Sequence, residues 1–104
     1  MSVVIGTVSA AKMLDAIRGG IDVGRIDSWQ YDGRGCFTPR ARKLSKRAWM
    51  CPSILGSGQL KFEVVNGASA AALTAALLGA YQARFIEMLL VHFADDVSWA
   101  SVIP

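Results

Sequence analysis

A chain of 104 residues, with 53% hydrophobic and 18% charged side chains, has the composition of a folded protein and the length of one domain, residues 1–104. Its formal charge is +3, no internal repeat stands out, and two cysteines, Cys36 and Cys51, are too few for a disulfide framework. These features exclude a disordered segment, a repeat array and a cysteine-stapled scaffold, and they lead to the expectation of two free thiols in a reducing cytoplasm.

Val3, Val4 and Ile5 form an apolar run that stops at Gly6 with no positive region before it, so it is not read as a signal peptide. Ser9 is placed to cap a short helix through Arg18, built from Ala10, Ala11, Met13, Leu14, Ala16 and Ile17. The Gly19-Gly20 pair is expected to stop it. Residues 25–31 alternate in polarity and are expected to form a strand. Asp32-Gly33-Arg34-Gly35 has the chemistry of a tight hairpin turn, and Cys36-Phe37-Thr38 would return as the partner strand. Residues 40–47 are read as a helical turn or an irregular arm. Ala48 to Met50 resumes an extended run that Pro52 is expected to end. Gly56-Ser57-Gly58 marks another turn. Leu60-Lys61-Phe62-Glu63-Val64 then alternates as a half-buried strand does.

The strongest expected element follows. Asn66 or Ser69 can cap a helix that runs to about Ala94 and ends at Asp95-Asp96. At 100° per residue, Leu77, Leu78, Tyr81, Phe85, Met88 and Leu89 share one broad face. Ala72, Ala76, Gly79 and Ala83 form a second stripe, continued by Ile86, Leu90 and Phe93, which suits close approach of a sheet, a second helix or a homodimer partner. Residues 64–83 carry no charge over a length that can span a bilayer. They include Asn66, Ser69, Thr74 and Gln82 and much alanine, so a buried helix is the reading and no membrane contact is expected. Residues 97–103 could add a last strand. The expected fold is α+β: a small antiparallel sheet of about four strands packed against a long C-terminal helix and a short N-terminal one.

Candidate chemistry is sparse. His92, the only histidine, lies inside the long helix and is read as a packed core histidine. Cys36 and Cys51 are not spaced as metal ligands, so neither metal nor cofactor is expected. Gly33-Arg34-Gly35 and Gly56-Ser57-Gly58 lack the rest of a phosphate-binding loop. Arg84 and Glu87 stand at the spacing of an ion pair on one helix face.

Charge is the sharper feature. Between Asp32 and Glu63 lie seven cations and no acid: Arg34, Arg40, Arg42, Lys43, Lys46, Arg47 and Lys61. The other residues hold four cations against eight acids, so the chain is polarised. Trp29, Tyr31, Phe37 and Trp49 interleave with the cations. Lysine and arginine neutralise phosphates, and exposed aromatics stack on bases. The expected contact surface is Arg34, Arg40, Arg42, Lys43, Lys46 and Arg47. The expected function is that of a non-enzymatic binding protein for nucleic acid or a nucleoprotein complex. One alternative is an interaction module, an inhibitor or accessory factor docking on an acidic protein surface, with a homodimer through the long helix. Another is a small cationic ribonuclease using Tyr31 or His92.

Overall fold

The computed structural model describes residues 1–67 and 73–103. The chain runs β1 (Ser2–Gly6), α1 (Ala10–Asp22), β2 (Trp29–Tyr31), β3 (Phe37–Pro39), β4 (Ala48–Gly56), β5 (Gln59–Asn66), α2 (Ala75–Phe93), a 3-10 turn (Ala94–Asp96) and β6 (Trp99–Ile103). This is an α+β fold with one antiparallel sheet of six strands in the order β2-β3-β4-β5-β1-β6, two more than expected.

The missed strand is β1. All five of its residues are buried, because β5 and β6 flank it on either side. A strand buried on both faces shows no alternation, so its sequence reads only as a short apolar run. Its neighbour β5 is the opposite case. Leu60 and Phe62 point into the core while Lys61 and Glu63 stay half-exposed, and the alternation is legible.

Both helices bury their apolar faces against the same side of the sheet. Met13, Ile17 and Ile21 of α1 and Leu77, Tyr81, Phe85, Met88 and Leu89 of α2 join Val3, Ile5, Met50, Leu60 and Phe62 in one contiguous core. Phe85 is its centre. Its ring lies 4.4 Å from Phe62, 5.0 Å from Trp29 and 6.0 Å from Phe37, in tilted and edge-on arrangements that suit aromatic quadrupoles. Residues of the other parity, Val4 on β1, Lys61 and Glu63 on β5, and Trp49 and Cys51 on β4, face the side that no helix covers.

Several expectations need correction. Helix α1 is capped by Ser9, whose side chain accepts from the Lys12 N–H, but it continues past Gly19 and Gly20 to Asp22. Gly20 is there for packing: a Cβ would press into Ile26, whose N–H bonds the Gly20 carbonyl. The chain turns instead at Gly24, with φ of 78°. Residues 25–28 serve this return, so only Trp29–Tyr31 of the expected strand is strand. Strand β4 runs through Pro52, because β3 pairs with β4 at Met50 and no further. Beyond that point a missing N–H on the β3 side costs no ladder bond.

Thr74, not Asn66, caps α2 by accepting from the Leu77 N–H; Ser69 and Ala72 lie outside the described residues. Leu78 is half-buried, and Gln82 joins the buried face by donating to the Ser2 carbonyl. Of the second stripe, Ala76, Gly79, Ala83 and Leu90 are exposed, whereas Ile86 and Phe93 pack half-buried against the core. Residues 64–66 end β5 and residues 75–83 begin α2, and no helix among the described residues is long and apolar enough to cross a membrane.

Candidate nucleic-acid interface

The basic segment is the loop 40–47 between β3 and β4, together with Arg34 in the turn between β2 and β3. It holds no regular helix, only successive turns. The loop is a run of turns, with Leu44 and Ser45 N–H groups on the Ala41 carbonyl and Lys46 in the left-handed region at φ 62°.

A buried polar hub holds that backbone. The fully buried Tyr81 hydroxyl of α2 donates to the Leu44 carbonyl and accepts from the Ala48 N–H at 3.0 Å. The Thr38 hydroxyl, also fully buried, donates to the Ala48 carbonyl at 2.9 Å and accepts from the Lys46 N–H at 2.9 Å. Gln30 donates to the Ser45 hydroxyl at 3.0 Å. The Gly67 N–H reaches the Arg47 carbonyl at 3.1 Å, and a Cβ at Gly67 would overlap the Lys46 carbonyl. Two hydroxyls thus satisfy backbone groups on both sides of the loop. Such groups are costly to leave unpaired away from water.

A covalent tie closes the same loop. Cys36 and Cys51 form a disulfide, with Cα atoms 4.3 Å apart and a sequence separation of 15. Among the described residues no cysteine is free, which overturns the expectation of two thiols. The bond brackets β3, the whole basic loop and Trp49.

All six expected contact residues are exposed. Among the described residues only Arg34 has an acidic partner, Asp32, at 3.0 Å. Arg40 donates through Nε to the Trp29 carbonyl at 3.0 Å, and Arg47 donates to the Lys43 carbonyl at 3.4 Å. Lys61, the seventh cation, pairs with Glu63 at 3.4 Å on β5. Trp29 and Phe37 are core residues, whereas Trp49 is half-buried on the uncovered sheet face. The Arg34 guanidinium lies 5.8 Å from the centre of the Trp49 ring. Trp49 belongs with the site, and its signal was its parity in β4, opposite to the buried Ala48 and Met50.

Asp32 organises the turn that presents Arg34. Its carboxylate accepts from the Arg34 N–H, the Cys36 N–H and the Arg34 guanidinium, each at 3.0 Å. Burial pushes its pKa up, but those donors outweigh it and hold the carboxyl below its ordinary value. Tyr31 titrates above its ordinary value, chiefly because its hydroxyl donates to Asp22 at 2.6 Å.

A recess of about 480 Å³ adjoins the loop, where Asp27, Trp29, Arg40, Arg84, Glu87, Val91 and His92 meet. His92 is half-buried at this opening rather than packed in the core. Arg84 and Glu87 both line the recess without forming the ion pair their spacing suggested. No metal-ligating cluster occurs among the described residues. Compared with protein-family models, with curated proteins and with solved structures, the chain matches none.

Proposed function

We propose that this protein binds nucleic acid, alone or in a nucleoprotein complex, through loop 40–47, Arg34 and Trp49. The observation that carries the reading is a set of five exposed cations, Arg40, Arg42, Lys43, Lys46 and Arg47, without acidic partners among the described residues, on a backbone fixed by Tyr81, Thr38 and a disulfide. Cations already neutralised by neighbours release fewer counterions on binding phosphate; these are not so neutralised. A fixed backbone spares the ordering cost that a flexible arm would incur. Trp49 supplies a face on which a base can stack.

The cytoplasmic setting expected from the sequence is also a proposal. It asks that the Cys36–Cys51 bond be transient there, since stable disulfides belong to oxidising compartments, and that Tyr81 and Thr38 hold the loop when the bond is open.

The test is a pull-down from lysate with and without nuclease, at low and high salt, using the native protein and the double variant Arg42→Glu/Lys43→Glu. A partner released by nuclease, by salt and by the double variant supports the reading. A discrete protein retained through all three favours an interaction module docking on another surface.

A second reading, cleavage of RNA, draws on the recess. Glu87 there can take a proton from a ribose hydroxyl, His92 can protonate the leaving oxygen, and Arg40 and Arg84 can hold the phosphate between them. Cleavage abolished by His92→Ala supports that reading. An RNA that stays intact at high protein concentration rejects it.

A further inference from the structure

The two edges of the sheet are unlike. Strand β2 is three residues long, and its side chains are already engaged: Gln30 on Ser45 and Tyr31 on Asp22. Charged Asp22, Asp27 and Arg40 surround it. Short, charged edges of this kind do not recruit further strands. Strand β6, at the other edge, has five residues, Trp99-Ala100-Ser101-Val102-Ile103, with no charge and no proline. It pairs with β1 in an unbroken register, and among the described residues nothing pairs with its outer side. Trp99, Val102 and Ile103 are 45%, 47% and 46% exposed. An unprotected apolar edge presents a row of backbone donors and acceptors that only another extended strand can satisfy along its length.

We propose that β6 pairs with β6 of a second copy, antiparallel about a two-fold axis at Ser101, to make one continuous sheet across a homodimer. The sequence of the edge is complementary to itself in that register. Ser101 meets its own counterpart on the axis, Ala100 lies opposite Val102 of the other copy, and Trp99 lies opposite Ile103. The parity of β6 against β1 places Trp99, Ser101 and Ile103 on the uncovered face, opposite Gly6, Val4 and Ser2, with the Trp99 ring lying over Gly6. In that register Trp99 and Ile103 fall opposite each other in two equivalent pairs on the uncovered face, beside a small centre. No like charges are brought together, because the contact strand has none and the basic loop emerges from the far half of the sheet. The contact does not depend on what the basic loop binds.

Sedimentation of the native protein from low to high micromolar concentration should show a dimer. Val102→Lys should shift it to monomer with an unchanged circular dichroism spectrum. Leu90→Lys, on the exposed stripe of α2, should leave the dimer intact. Ser101→Cys should yield, on mild oxidation, a covalent dimer whose crosslink maps to position 101 in both copies; this readout stands even if Val102→Lys folds poorly. A native protein that stays monomeric throughout overturns the proposal. So does a dimer broken by Leu90→Lys but not by Val102→Lys, or one in which position 101 does not crosslink.

Discussion

The two halves of the sheet are held by different means. At the β2-β3 end the strands are three residues long, β3 meets the longer β4 at one register pair, and order comes from Tyr81, Thr38, the Asp32 turn and a disulfide. At the β5-β1-β6 end the strands are longer and the ladders continuous. The lesson is that a loop dense in like charge cannot rely on apolar burial for its own order. Its shape is imposed from beneath by polar groups that water cannot reach, which leaves the cations free to point outward.

Substitutions can break this contrast or sharpen it. Phe85→Ala empties the aromatic centre shared by both halves and should cost the most, about 3–5 kcal/mol in chemical denaturation. It should loosen both ends together. Removing the disulfide with Cys36→Ser/Cys51→Ser frees a loop fifteen residues long and should cost about 3 kcal/mol. Amide exchange should then quicken in residues 40–47 well before it does in β1. Tyr81→Phe keeps the ring but leaves the Ala48 N–H and the Leu44 carbonyl without their partner, at a cost of about 1–3 kcal/mol. Its signature is again faster exchange in the loop alone. Uniform acceleration across the sheet would contradict the division into two halves.

The smallest effect concerns pH. Asp32 has a folded pKa below its unfolded value, so its contribution is present above the ordinary carboxylate range and disappears as pH falls through the lowered value. Acid titration of the native protein should weaken the turn and the Arg34–Trp49 contact, read as a change in tryptophan fluorescence. Asp32→Asn should flatten that transition.

Much of the order of elements along the chain was legible from residue patterns, and the reasons it failed in places are physical. The turns at residues 32–35 and 57–58 follow from local glycine and aspartate chemistry. The buried face of α2 follows from helical spacing. By contrast, β1 lacks alternation because it is buried on both sides. The continuation of β4 through Pro52 depends on where β3 ends, which no local pattern encodes. The six cations were visible as a run, and their exposure follows. The hub was not visible, since Thr38 and Tyr81 are joined only by the fold. The disulfide was hidden for the same reason: a spacing of fifteen says nothing until β3 and β4 lie side by side.

The most direct test of the central claim is the affinity for a labelled single-stranded oligonucleotide, measured at several salt concentrations for the native protein and for Arg42→Glu/Lys43→Glu. The account predicts a linear fall of log affinity with log salt. The slope should be shallower in the variant by at least about 1.4, roughly 0.7 for each phosphate that the variant no longer neutralises. An affinity insensitive to salt, or a variant with the native slope, would contradict it.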